Sequence, residues 1–308
     1  MKQIGILIAF LLSLLSSCAN KQTEGRMVSV SIEPQRYFAE RIAGDKFTIN
    51  TVVPAGQNPE VYDPTPQQMV QVGKSEAYFR IGHIGFEEVT ITKVIESNKE
   101  LNVFDLSEGM EFIANTEEHD HDHDHEHAEE HDHDHGHAEE SAHSHYGVDP
   151  HTWSSIEGAK KIAWNTLNAF IALDKENTQY YWDNYNSLME EIEQTEQEIK
   201  NMLASLTNRT FIIYHPALTY FAKEFDLTQL SIEMEGKEPS PAQLKRLIDT
   251  AKESGAKVVF IQQEFDQKNA ELIAKETNCN LVVINPLDYD WKKELIRIAH
   301  ALADGETN

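Results

Sequence analysis

Residues 177–206 run without a proline or a glycine. Tyr181, Tyr185, Leu188, Met189, Ile192, Ile199, Met202, Leu203 and Leu206 fall three and four apart along them, one apolar stripe on a long helix. Asn177 and Thr178 are available as caps at its start. At about 1.5 Å per residue, such a run makes a rod of roughly 45 Å. That is longer than one small lobe is wide, so the spacing predicts a rigid element that bridges two lobes.

The flanks of the rod have a different rhythm. Strand-like segments at 28–32, 47–53, 77–81 and 101–104 alternate with helix-like ones at 35–43, 67–74 and 86–97. A helix at 154–173 precedes the rod. Beyond it, strands at 210–214, 227–232, 258–262 and 281–284 alternate with helices at 217–224, 240–254, 267–277 and 290–303. Ser240 and Pro241 open one of these helices and Gly255 closes it. Such alternation predicts βαβ units, a mainly parallel sheet in each half and an α/β fold class. The expected organisation is an N-terminal lobe over residues 27–173, a linking helix over 174–206 and a C-terminal lobe over 207–308.

With 308 residues, 40% of them hydrophobic, the chain can bury a core, while a formal charge of −26 argues against nucleic acid or an anionic lipid surface as partner. Residues 1–17 read as a secretory signal: Lys2, an apolar run over 4–15 too short to span a bilayer, then small residues. Leu15-Ser16-Ser17-Cys18 resembles the lipobox of bacterial lipoproteins, which implies cleavage before Cys18 and acylation of its thiol. Residues 18–26 then form a tether. The expected location is the cell envelope: a soluble body held by lipid alone, facing the periplasm or, in a single-membrane cell, the outside of the plasma membrane. The only other cysteine, Cys279, precedes an apolar run and is expected to be a small buried residue.

Residues 117–145 hold eleven of the fifteen histidines and twelve carboxylates, with no lysine or arginine. The histidines are His119, His121, His123, His125, His127, His131, His133, His135, His137, His143 and His145. Almost devoid of apolar side chains, the segment cannot repay the entropy of ordering. Imidazole and carboxylate both bind zinc and neighbouring divalent ions, so a loose, exchangeable, low-affinity site for several ions is expected. Residues 127–131 match the zinc-protease pattern H-x-x-E-H, but chance alone produces that match in a segment of these letters.

His151 and His215 belong to ordered surroundings. His151 stands in Asp149-Pro150-His151-Thr152-Trp153 just before a helix, and His215 in Tyr214-His215-Pro216-Ala217 at the carboxyl end of a strand. Ligands gather at such ends in open parallel sheets. Taken singly, each histidine reads first as a hydrogen-bonded structural residue.

Together with the run from Gly56 to Pro66, with Tyr220-Phe221 and with Glu235-Gly236-Lys237-Glu238-Pro239-Ser240, these motifs follow the order of a known family. The chain resembles the metal-binding lipoproteins of zinc and manganese ABC importers over almost all of its mature length. The histidine-rich insertion before Asp149 is typical of the zinc members. The resemblance implies two (β/α)4-like lobes joined by a long helix, with metal in the cleft between them. It places the family's ligands at Glu60, where a histidine is usual, at His151, at His215 and at Asn285, where an aspartate is usual. A family glutamate falls on Gln262. Glu60 still offers a carboxylate; Asn285 offers only a neutral amide oxygen. His83, at the end of a first-lobe strand, or a water is therefore expected to complete the set, with Asn285 behind it.

The resulting expectation is a binding protein and not an enzyme. It would act as a monomer, capture Zn2+ and deliver it to a membrane permease powered by an ATPase. Mn2+ is the alternative cargo, since added oxygen ligands suit manganese or iron. Because ligating imidazoles must be neutral, affinity should fall as the pH drops toward about 6. A zinc-dependent hydrolase with Glu60 as base is the other alternative, and H-E-x-x-H and G-x-S-x-G are both absent from the sequence. A surface adhesin or passive metal store would make the histidine-rich segment the working part. The remaining tryptophans, Trp153, Trp164 and Trp182, are expected in the core or between helices. Residues 288–291 should cap the last helix, and Glu264 and Asp266 should be solvated carboxylates beside the cleft.

Overall fold

The computed structural model describes residues 25–114, 147–233, 237 and 239–305. Cys18 and the eleven histidines of residues 117–145 lie outside them. β1 (Met27–Val30), α1 (Glu33–Ala43), β2 (Thr48–Thr51), α2 (Pro66–Lys74), β3 (Ala77–Arg80), α3 (Thr92–Ser97) and β4 (Asn102–Asp105) make the first half. α4 (Ile156–Leu173) and α5 (Thr178–Leu203) follow. The second half holds β5 (Thr210–Ile213), α6 (Thr219–Glu224), β6 (Thr228–Ser231), α7 (Pro241–Ser254), β7 (Val258–Gln262), α8 (Lys268–Thr277), β8 (Asn280–Ile284) and α9 (Trp291–Gly305).

The strands form two four-stranded parallel sheets, ordered β2-β1-β3-β4 and β6-β5-β7-β8. The chain is thus α/β, with two (β/α)4-like lobes joined by a long helix. In each sheet the strand order reverses once, between β1 and β3 and between β5 and β7, and the crevice at such a reversal is where open sheets hold ligands.

Several helices begin where local chemistry dictates. Thr65 caps α2 through the backbone N–H of Gln68, and Ser240 caps α7 through that of Gln243, each with proline in the first turn. α5 is 26 residues long, about 39 Å at the standard rise. It starts later than the sequence suggests and ends sooner. Neither Asn177 nor Thr178 caps it: Asn177 donates to the carboxylate of Asp174, and the Thr178 hydroxyl to the carbonyl of Lys175. A separate 3-10 turn, Lys175–Asn177, intervenes.

α5 packs on α1 and α4 from one side and on α9 from the other. Its buried Ile192, Ile199 and Leu203 join a single apolar cluster that includes Val28, Val30 and Phe79 of the first sheet and Phe211, Ile213, Phe260 and Ile284 of the second. On the opposite face of the second sheet, Ile212, Tyr214, Val259 and Ile261 form a smaller, separate cluster with α7 and α8, as the period of two along a strand requires. Cys279 packs at the edge of this smaller cluster, only partly buried, with its thiol 3.1 Å from the Ala256 carbonyl. Trp153 is in the core. Trp164, by contrast, is 41% exposed and packs edge-on against Trp182 between α4 and α5. Asp290 caps α9 by accepting from the backbone N–H of Lys293. None of the helices is long and apolar enough to cross a membrane, among the described residues.

Candidate metal centre

β2 ends at Thr51, and the chain then makes a loop with prolines at 54, 59 and 64 before Pro66 opens α2. Proline fixes φ and removes donors, so this loop follows its own path instead of extending the sheet. The Asn58 side chain accepts from the N–H of Glu60, and Tyr62 donates to Gln68 while packing on Phe86. A side chain at Gly85 would press on the Glu60 carbonyl at 3.4 Å. These contacts hold the Glu60 carboxylate, 13% exposed, over the cleft.

His151 sits in the turn that leads through the 3-10 segment Thr152–Ser154 into α4. Asp149 accepts from its backbone N–H and from its Nδ1, both at 2.8 Å. Despite burial, the neighbouring imidazole keeps the Asp149 carboxyl below the usual range. The Asp149 carbonyl in turn accepts from the Tyr220 hydroxyl of the second half. Trp153 donates to the carbonyl of Pro286, and Trp291 donates to the carbonyl of Trp153. The His151 turn is thereby tied to the loop after β8 and to α9.

His215 lies two residues past β5, at the crevice between β5 and β7. Its Nδ1 is 2.9 Å from Oε2 of Glu233, which lies two residues past β6. Gln262, fully buried at the end of β7, accepts from the His215 N–H at 3.3 Å and donates to its carbonyl at 2.6 Å. Phe265 stacks on the imidazole with centroids 5.4 Å apart.

These three elements bring Glu60, His151 and His215 together, with one ligand atom of each within 4.8 Å of the others. The two Nε2 atoms are 3.2 Å apart, and Glu60 Oε1 is 3.5 Å from that of His151 and 3.4 Å from that of His215. Both Nδ1 atoms face carboxylates, so both Nε2 atoms face the cleft. A carboxylate behind each imidazole fixes its tautomer and orientation. Burial alone would push His215 down; hydrogen bonds to Glu233 and Glu60 outweigh it and push the imidazole up to about 10. The raised value favours the imidazolium form of His215, with Nδ1 against Glu233 and Nε2 3.4 Å from Glu60 Oε1.

Of the other expected residues, His83 is exposed, has a left-handed φ of 61° and packs its ring on Phe112. It stands outside this group. Asn285 donates through Nδ2 to Asp288, and its Oδ1 is buried with no hydrogen-bond partner. Glu264 differs from the expected solvated carboxylate. Burial pushes it up, against the pull of His215 and His151, and its Oε2 is buried without a hydrogen-bond partner. Asp266 is exposed. The bracing roles of Asp149 and Glu233 are not evident from local pattern, though a carboxylate two residues before His151, and another two past the strand beside β5, were signals that strand adjacency could have turned into partners.

The profile of the ZnuA family (zinc-uptake complex component A, periplasmic) matches residues 28–297. The chain belongs to this family. It is 27% identical over 302 residues to the high-affinity zinc uptake system protein ZnuA of Bacillus subtilis (strain 168), covering 93% of this chain and 89% of that one. It is 23% identical to the manganese ABC transporter substrate-binding lipoprotein PsaA of Streptococcus anginosus, covering 90% and 87%. A crystal structure of ZnuA superposes with a TM-score of 0.78 at 32% identity, covering 91% of this chain and 99% of that one. Members of the ZnuA family are metal-binding, substrate-binding components of ABC importers in the cell envelope, and not enzymes.

Proposed function

We propose that this protein is the zinc receptor of an ABC importer, with Glu60, His151 and His215 as ligands of a single Zn2+ in the cleft. It carries the ion as a monomer to a permease driven by an ATPase, and it is held at the membrane's outer face by a lipid on Cys18. The observation that carries the reading is the convergence of two carboxylate-braced imidazoles and a third carboxylate on one small volume between the lobes. Two nitrogens and an oxygen suit four-coordinate zinc, with one position left for a further donor. Chemically the cleft offers reversible coordination: an incoming dication displaces the proton that Glu233 and Glu60 hold on His215.

Manganese is the second reading, favoured by the PsaA similarity and by the carboxylate at position 60. Elemental analysis of protein purified without added metal, paired with calorimetry of a chain lacking residues 117–145, tests both. One tight zinc step surviving the deletion supports the receptor; tight binding lost with the segment would make the protein a store. Preference for manganese in the deleted chain would reassign the cargo.

A further inference from the structure

We propose that Glu264 is a ligand of the bound ion, so that the cleft presents two imidazole nitrogens and two carboxylates to a divalent cation. This deepens the receptor reading and rests on it. Ile213 of β5 pairs with Phe260 of β7. Past these adjacent strands the register sets His215 beside Gln262, and Glu264 follows two residues further along the same segment, at the crevice of the second sheet. The loop that carries Glu264 is fastened to His215 on both sides: Gln262 clamps its backbone and Phe265 stacks on its ring.

Between those two grips, Glu264 leaves Oε2 buried with no hydrogen-bond partner. A buried acceptor without a partner is costly, more so when it is charged, and a bound ion is one way a native fold repays it. Both imidazoles act electrostatically on this carboxyl. The neighbouring Gln263 reaches toward the other side of the cleft, its Nε2 lying 3.7 Å from where a side chain on Gly56 of the Glu60 loop would begin. Glu264 therefore rides on the segment that faces Glu60 across the mouth.

The other donors expected to complete the set fit less well. His83 points its ring at Phe112, and Asn285, although its Oδ1 is also buried without a partner, is a neutral amide whose nitrogen turns to Asp288. Two carboxylates also neutralise a dication, whereas one would leave a buried net charge. Glu264 lies at neither of the two positions, 262 and 285, where the family resemblance expects an acidic residue.

The test uses the full chain and its Glu264→Gln, Glu264→Ala and His215→Ala variants. Zn2+ and Co2+ are each supplied at one equivalent against a competing chelator, so that only the tightest site fills. Glu264→Gln and Glu264→Ala should weaken the tight zinc step by at least the ~10–100-fold that loss of a supporting partner costs, and should alter the visible spectrum of bound Co2+. Metal-free Glu264→Gln should unfold at the same temperature as the parent or higher, because it no longer buries an unpartnered carboxylate. That combination separates a ligand from a merely structural residue. Variants within twofold of the parent, with an unchanged Co2+ spectrum, would overturn the proposal while leaving the receptor reading intact. If the parent lacks a tight step, or His215→Ala retains it, both fail together.

Discussion

The two sheets have the same strand order and therefore the same crevice, but the molecule uses the two crevices differently. In the second half the crevice between β5 and β7 delivers His215, with Gln262 and Glu264 beside it. In the first half the crevice between β1 and β3 is filled by Glu87, 2% exposed, whose carboxylate accepts from the backbone N–H groups of Ile81 and Gly82 and from the hydroxyls of Ser31 and Tyr78. Here burial pushes Glu87 up while those donors hold it down. With its own crevice closed, the first half contributes the Glu60 carboxylate from the long loop after β2. One side of the cleft is thus a braced wall and the other a loop laid across it. Shared topology fixes where a ligand can come from; the side chains at the crevice decide whether one does.

That contrast can be broken most directly at His215. In the chain without residues 117–145, His215→Ala should weaken zinc binding by more than 100-fold, beyond the ~10–100-fold range for a supporting residue. Glu60→Ala, on the loop side where water can replace the carboxylate, should lose less. Equal losses in isothermal titrations would erase the difference between wall and loop.

Removing the brace comes next. Glu233→Ala should weaken zinc binding by ~10–100-fold, and chelator competition would measure it. A change below twofold would mean that the Nδ1 contact does not orient the ring.

Acidity sharpens the comparison further, because the raised imidazole belongs to the wall. Zinc must displace the proton that Glu233 and Glu60 keep on His215 up to about pH 10. Affinity should therefore fall about tenfold for each unit of pH lowered below that value, with about one proton released per ion near neutrality. The window reaches well above the one expected of an ordinary histidine near 6.5. For the metal-free fold the sign is opposite: the stabilisation from the raised pKa is complete below about 6.5 and is lost as pH rises through about 10. Calorimetry in buffers of differing ionisation enthalpy reads the proton count, and a count of zero near neutrality would remove the proton from His215.

The smallest effect on binding belongs to Glu87. Glu87→Gln should leave zinc affinity within twofold while costing about 1–3 kcal/mol of stability, since an amide cannot satisfy both backbone donors with one oxygen. Urea unfolding and zinc titration of the same variant test it; an affinity loss beyond tenfold would mean that the first crevice does shape the site.

Much of this architecture is legible in the sequence. The strands at 27–30 and 258–262 stand out as β-rich runs, the long amphipathic stripe marks α5, and Ser240-Pro241 marks the start of α7. These signals are local, carried by period and by capping chemistry. His151 and His215 are legible as candidates because proline, tryptophan and a strand end frame them. What escapes is what only tertiary packing creates. Glu87 sits in a π-helical turn, Glu87–Ile91, inside an expected ordinary helix over 86–97, and no residue pattern announces its burial. Glu264 looks like any acidic loop residue until β5 and β7 are placed side by side. Asn177 has the chemistry of a cap, yet Asp174 and a 3-10 turn claim it first.

A carrier must also let go, and α5 bears on how. Its side chains belong to one apolar mass with both sheets, and the indoles of Trp153 and Trp291 tie the His151 turn to α9. Swinging the halves apart would flood that mass with water and break both indole contacts. Residues 54–65 hold no place in either sheet, so peeling them back would withdraw Glu60 without opening that mass. If release goes by that route, the dwell time of a bound ion would follow from the stiffness of one proline-studded strap.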